Sequence, residues 1–151
     1  MNYVDGMQNG VFKLWYKDGH LDQWGFFKRG EQDSIWRGYY ENGKLKSIKY
    51  FHKGEANGLF TFFFSNGDTA LLNSYVDNRK DGMWKSWDTN GQCTSITPYK
   101  NDLKDGTWTY YYHNGRLKNQ GIFIRDKKGG YSCFYKDSAA TLLYILTIGL
   151  S

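Results

Sequence analysis

The residues of this chain that could do chemistry are few, and their spacing assembles no catalytic set. The 151 residues include three histidines, His20, His52 and His113, and two cysteines, Cys93 and Cys133. None of them has the spacing of metal ligands, and the sequence contains neither a nucleophile elbow nor a Walker-type phosphate loop. Each histidine stands at or near a predicted turn, where we expect a solvated side chain. The sequence therefore predicts a protein that is not an enzyme and that uses no metal or cofactor.

The charged residues are numerous but scattered. There are 20 Lys and Arg against 15 Asp and Glu, a formal net charge of +5. This interspersed pattern indicates a solvated surface, so nucleic acid is not an expected partner. The first ten residues contain no basic stretch followed by an apolar one, and the two cysteines form no closely spaced pair. We therefore expect a cytoplasmic protein.

The elements that carry these residues repeat every 24 residues without insertion or deletion. The glycine of an Asp-Gly or Asn-Gly pair recurs at Gly19, Gly43, Gly67, Gly91 and Gly115. A fixed period of this length is typical of repeat arrays, which usually present binding surfaces. We divide residues 1–138 into six repeats, about 3–26, 27–50, 51–74, 75–98, 99–122 and a partial 123–138, and an apolar segment follows at 139–151.

Each repeat has the pattern of one β-hairpin. Short runs rich in aromatic and β-branched residues flank pairs such as Asn42-Gly43, which predict a two-residue type I′ turn. A second, longer connection follows, for example at Arg29–Asp33. It contains a column that predicts a left-handed backbone in every repeat: Gly6, Gly30, Gly54, Asn78, Asp102 and Asp126. Consecutive hairpins then predict an all-β fold, a single-layer, extended and twisted antiparallel meander.

Strand alternation gives aromatic side chains to both faces of this sheet. The first repeat shows the two sets, Phe12, Leu14 and Tyr16 against Val11, Lys13 and Trp15. A single layer buries apolar surface only through side-chain ladders along its faces. The pattern does not distinguish the more open face.

The repeats resemble the bacterial MORN repeat variant, most closely over residues 106–129, GTWTYYYHNGRLKNQGIFIRDKKG. The matching positions there are Gly106, Trp108, Tyr111, Tyr112, Asn114, Gly115, Leu117 and Lys118. The resemblance extends over roughly residues 3–138 and implies a MORN-like sheet of hairpins. Through the YwqK-like antitoxin family it implies the antitoxin or immunity partner of a bacterial toxin or phage-conflict system. Through the wider MORN family it implies lipid-head-group binding or scaffolding as the alternative.

We accordingly expect a non-enzymatic protein-binding module that acts by steric occlusion of a toxin or effector. Large aromatic residues anchor interfaces, so the aromatic column shared by all six repeats and the phenylalanines of the third repeat are the candidates. The predicted partner-binding residues are Trp15, Tyr39, Phe62, Phe63, Phe64, Trp87, Tyr111 and Tyr135. For the phenylalanine-rich third repeat, tighter packing in the middle of a curled sheet is an equal alternative to a docking patch.

The apolar segment after Ser138 breaks the repeat. Asp137 or Ser138 fits a helix N-cap and Gly149 fits a helix end, so we predict a short helix that caps the last strand. The stretch is too short to span a bilayer. The alternatives are a docking element for a partner, for a second copy through self-association, or for a membrane surface.

Overall fold

The computed structural model describes residues 2–135 and 142–148, and every regular element within them is a β-strand. The strands are β1 (Tyr3–Val4), β2 (Met7–Gln8), β3 (Gly10–Trp15), β4 (Leu21–Lys28), β5 (Glu31–Tyr39), β6 (Leu45–His52), β7 (Glu55–Ala56), β8 (Gly58–Phe63), β9 (Thr69–Val76), β10 (Arg79–Lys80), β11 (Gly82–Trp87), β12 (Cys93–Lys100), β13 (Leu103–Lys104), β14 (Gly106–Tyr111), β15 (Leu117–Ile124), β16 (Lys127–Tyr135) and β17 (Leu142–Ile148).

The longer strands pair in chain order and form one open antiparallel meander from β3 to β17. The two-residue strands β7, β10 and β13 pair only with the ends of β6, β9 and β12, and β1 pairs with β2 in a separate small sheet. No crossover connection interrupts this order between the described strands. The predicted all-β meander of hairpins is therefore confirmed.

Successive repeats join through the same two cross-strand pairs. The first of each set is Gln23 with Gly38, Ser47 with Phe62, Leu71 with Ser86, Ser95 with Tyr110, and Asn119 with Phe134. The second lies one residue further on, as Trp24 pairs with Arg37 and Ile48 with Thr61. A one-residue slip would send every side chain to the wrong face. The uniform register explains why the 24-residue step admits no insertion.

The turn at the Asn-Gly pairs is longer than the sequence predicted. Gly43 N–H donates to the Tyr40 carbonyl at 2.8 Å, and Tyr40 N–H donates to the Lys44 carbonyl at 2.8 Å. Gly43 has φ 77°, whereas Asn42 is not among the residues with positive φ. The loop is therefore a three-residue turn that ends in a left-handed glycine, and the predicted two-residue type I′ turn is wrong. The Asn42 side chain accepts the Lys44 N–H at 3.0 Å, the local bond that favours this geometry.

The two-residue type I′ turn lies instead in the second connection. Lys28 pairs with Glu31, and the two residues between them, Arg29 and Gly30, have φ 52° and 81°. The predicted longer connection is thus wrong at this turn. The left-handed column itself is confirmed, with φ of 73°, 81°, 78°, 65°, 68° and 66° at Gly6, Gly30, Gly54, Asn78, Asp102 and Asp126.

The carboxy-terminal segment is a strand where it is described, so the predicted helix is wrong there. β17 pairs antiparallel with β16, from Gly130 opposite Ile148 to Tyr135 opposite Leu142. The edge of β16 offers unpaired backbone groups, and β-branched residues such as Ile145 and Thr147 favour a strand over a helix of this marginal length. The expected helix N-cap at Asp137 or Ser138 and the expected end at Gly149 lie outside the described residues.

The core is a ladder of aromatic rings along one face of the sheet, which we call the ladder face. Consecutive ring centroids lie 4.8 to 6.4 Å apart through Phe12, Phe27, Trp36, Phe51, Phe60, Tyr75, Trp84 and Tyr99. Trp108 and Phe123 continue it at 6.0 Å. Trp36, Phe60 and Trp108 are buried, at 6%, 8% and 4% exposure. Stacking between neighbouring repeats therefore replaces the second layer of an ordinary core.

Candidate functional site

The predicted partner-binding residues do not share one surface. Phe62 alternates with Phe60 and so lies on the ladder face, opposite Leu71 in the next strand. Phe64 follows β8 and forms the turn bonds with Gly67 and Asp68. The other six lie in one column on the opposite side of the sheet, which we call the open face: Trp15, Tyr39, Phe63, Trp87, Tyr111 and Tyr135.

The open-face column is most exposed at its first member. Trp15 is 54% exposed, whereas Tyr39, Phe63, Trp87, Tyr111 and Tyr135 are half-buried. The backbone of the column is fixed from repeat to repeat, because the Tyr16 hydroxyl donates to the Tyr39 carbonyl at 2.7 Å and the Tyr40 hydroxyl to the Phe63 carbonyl at 2.6 Å. These side chains therefore stand on a rigid support.

The open face also carries a second set of apolar side chains that the sequence reasoning missed. It follows the cross-strand pairs Val11 with Phe26, Ile35 with Tyr50, Leu59 with Ser74, Met83 with Pro98, and Thr107 with Ile122. We call this set the apolar row. Its members Val11, Leu59 and Met83 are each 48% exposed, and Tyr50 is 42% exposed. The available signal was an apolar residue directly before the first aromatic in four of the repeats.

Positive charge accompanies the apolar row. Lys13, Arg37 and Lys85 occupy one column of the open face, and the Arg37 guanidinium lies over the Trp24 ring at 5.1 Å. The acidic residues of the described chain lie at or beside the turns, apart from Asp22 at a β-bulge. Away from the turns, the charged side chains of the open face are therefore basic, and they stand among apolar and neutral polar ones.

Side-chain oxygens of Asn and Asp at the turns hold the repeats together. Asn78, Asp102 and Asp126 each accept a backbone N–H of the preceding repeat, at 2.6, 2.8 and 2.7 Å. At the neighbouring positions, a hydrogen bond from the Ser34 hydroxyl lowers the pKa of Asp33, and one from the Lys100 ammonium lowers the pKa of Asp81. These groups are ionised partners of fixed donors, which is a structural arrangement.

The histidines are separated, as predicted, and each lies near an aspartate. The Nδ1 atoms of His20, His52 and His113 lie 3.1, 3.8 and 2.8 Å from carboxylate oxygens of Asp18, Asp33 and Asp88. All three imidazoles are exposed, at 60%, 66% and 86%. No group of three or more potential metal ligands occurs in residues 2–135 and 142–148. The same residues contain no helix long and apolar enough to cross a membrane.

Three segments of the chain match the family model of the MORN repeat variant, residues 32–53, 80–101 and 104–124. Together they cover somewhat less than half of the chain. MORN repeats generally serve as modules that bind proteins or lipids and are not typically enzymatic. No curated protein shows significant sequence similarity to this chain. The unmatched repeats share the register and the left-handed turns of the matched ones.

Proposed function

We propose that this chain is a non-enzymatic protein-binding module that lays its open face on an acidic, partly apolar surface of another protein. The observation that carries the proposal is the apolar row, whose members Val11, Tyr50, Leu59 and Met83 are exposed on a face that no described part of the chain covers. Contiguous exposed apolar surface on a folded protein marks an interaction site. MORN-like repeats are binding modules, which agrees with this reading.

The composition of the open face favours a protein with an acidic rim. Trp15 is of the residue type that carries much of the binding energy of interfaces, and Leu59 and Met83 add exposed apolar surface on the same face. Lys13, Arg37 and Lys85 stand between these side chains without acidic neighbours on the strands. Their charge would accelerate encounter with an acidic partner and fix its orientation.

The mechanism we propose is steric occlusion. A rigid extended sheet that binds over the working surface of a toxin or effector blocks that surface without any chemistry of its own. The resemblance of the repeats to the YwqK-like antitoxin family supports a toxin as the partner. An anionic lipid surface, the alternative, would bind through the same basic and apolar side chains of the open face. The experiment below distinguishes it from a protein partner.

The test is co-expression with the product of the adjacent gene, which we expect to inhibit growth when expressed alone. The full chain should restore growth and co-purify with that product. A double variant, Leu59→Lys with Met83→Lys, should lose both effects while it keeps its unfolding midpoint, because both sites are exposed. Leu71→Lys is the matched control, since Leu71 is 41% exposed but lies on the ladder face.

Two results would contradict the proposal. Loss of rescue by Leu71→Lys, with rescue retained by the double variant, would place the interface on the ladder face. Co-sedimentation of the chain with phosphatidylserine vesicles, lost in the double variant, together with no protein partner, would replace the protein-binding function by the lipid alternative.

A further inference from the structure

A depression on the ladder face lies directly over Gly38 of β5. It has a volume of about 240 Å³, and the contacting rings of Trp36 and Phe51 form part of its lining. A Cβ on Gly38 would stand 2.8 Å from Ser47 Oγ, so the absent side chain opens the space. We call it the Gly38 cradle, lined chiefly by Trp36, Gly38, Lys46, Ser47, Lys49 and Phe51.

The Ser47 hydroxyl faces this cradle without a protein partner. Ser47 is 9% exposed, and its hydroxyl makes no hydrogen bond within residues 2–135 and 142–148. Two repeats further on, the equivalent Ser95 shares a hydrogen bond of 2.6 Å with Ser86, which occupies the position of Gly38. The glycine therefore removes the partner that this serine has elsewhere in the sheet. The Ser47 hydroxyl is therefore open to the cradle and available to a ligand that accepts its hydrogen bond.

The ladder-face side chains of the cradle, Lys46, Lys49 and Asp22, carry one net positive charge. Arg37 also lines the depression, but its guanidinium lies on the open face over the Trp24 ring. The ammonium groups of Lys46 and Lys49 lie over the rings of Tyr40 and Phe62, at 5.6 and 5.5 Å from the ring centroids. Asp22 is the acidic residue at the rim. Cation–π contacts hold both lysine side chains along the ladder face.

The fourth repeat contains a neutral counterpart of the cradle. The ladder-face residues that line a depression there are neutral and include Trp84, Ser86, Ser95, Thr97 and Tyr99, while Lys85, which also lines it, belongs to the open face. Thr94 and Thr97 occupy the positions of Lys46 and Lys49. The Ser86 hydroxyl also bonds to Thr94 Oγ1 at 2.7 Å. The hydroxyl groups of Ser86, Thr94 and Ser95 therefore satisfy one another. The charge and the free hydroxyl are therefore specific to the second repeat.

We propose that the Gly38 cradle binds one carboxylate group from an acidic side chain of a polypeptide. The Ser47 hydroxyl donates a hydrogen bond to a carboxylate oxygen, and Lys46 and Lys49 supply the charge. One net positive charge matches a singly charged carboxylate better than a dianionic phosphate. Trp36 and Phe51 contact the methylene groups that carry the carboxylate. This site lies on the ladder face and does not depend on the open-face interface.

The test titrates the full isotope-labelled chain with N-acetylglutamate methylamide, with the glutamine analogue and with free glutarate. We expect the glutamate compound to shift the amide signals of Gly38 and Ser47 and the indole N–H signal of Trp36. The glutamine analogue should bind about tenfold more weakly, because it lacks the charge-assisted hydrogen bonds.

The control variants replace residues of the cradle by those that the fourth repeat has at the equivalent positions. Gly38→Ser fills the cradle as Ser86 fills its counterpart, and Lys49→Thr copies Thr97. Both should weaken glutamate binding about tenfold without changing the unfolding midpoint. Ser86→Gly opens the neutral depression and should create no second site.

Equal binding of the glutamine analogue, or binding that survives in Gly38→Ser, would overturn the proposal. The proposal would also be overturned if the unmodified chain showed no shift at concentrations of the glutamate compound below the one at which Gly38→Ser responds. Binding of glutarate without binding of the capped glutamate would overturn the polypeptide source. None of these results bears on the rescue assay, which reports on the open face.

Discussion

The ladder face and the open face both carry an aromatic column, but the columns differ in what they touch. On the ladder face, Trp36 contacts the rings of Phe12, Phe27 and Phe51 and is 6% exposed. On the open face, Trp15 is 54% exposed. The same residue type therefore stabilises the fold on one side and remains available to a partner on the other.

Close approach to the backbone explains the burial on the ladder face. A Cβ on Gly25 would lie 2.2 Å from Cδ2 of Trp36, so the indole rests directly on the glycine of the preceding repeat. Rings that lie on the sheet in this way span from one hairpin to the next and bury each other. The ring pairs of this row all join residues of the ladder face, whereas Trp15 and Leu59 on the open face are about half exposed.

The largest expected effect is on stability. Trp36→Ala should lower the free energy of unfolding by about 3–5 kcal/mol, because it removes a buried indole and leaves a cavity. Trp15→Ala should lower it by about 0.5 kcal/mol or less, because Trp15 is exposed. Urea denaturation followed by circular dichroism measures both values. Equal losses for the two variants would show that the faces do not divide stability and binding as we describe.

The sequence was sufficient to predict the meander and the left-handed column, because both follow from a strict period and from residues that tolerate positive φ. The turn types were assigned wrongly because Asn-Gly also suits a three-residue loop when the asparagine side chain accepts an N–H two residues on. The apolar row and the Gly38 cradle depend on the register between repeats, which the period alone does not specify. The partner-binding residues and the repeat boundaries stay predictions.

The size of the ladder ring varies together with the size of the residue two positions after it. Trp36 and Trp84 stand two residues before Gly38 and Ser86, whereas Phe60 precedes the larger Phe62. A large ring is thus paired with a small neighbour in the same strand, which keeps the packed volume similar between repeats. Trp108 departs from this rule because Tyr110 follows it, and the two rings contact each other at 5.4 Å.

A smaller effect separates two tryptophans within the ladder face. Trp84 Nε1 donates to the Ser74 carbonyl at 3.1 Å, whereas Trp108 Nε1 is buried and finds no acceptor among the described residues. Trp108 leans on Gly121, where an added Cβ would lie 2.8 Å from its Cζ2. Both Trp→Phe changes lose similar volume, so Trp84→Phe should cost about 1 kcal/mol more than Trp108→Phe. A larger cost for Trp108→Phe in urea denaturation would contradict this assignment.

The smallest effect lies outside both faces, at the turns. A hydrogen bond from His113 lowers the pKa of Asp88, whose carboxylate also accepts the N–H groups of Asn90 and Gln92 at 3.0 Å. A lowered folded-state pKa means that the stabilisation is complete above the ordinary aspartate pKa and is lost as the pH falls through the folded-state value. Acid should therefore lower the amide protection factor of Gln92 before it lowers that of Trp84 on the ladder face. His113→Gln should move the titration midpoint of Asp88 upward in a carboxyl-detected NMR titration, and an unchanged midpoint would refute the role given to His113.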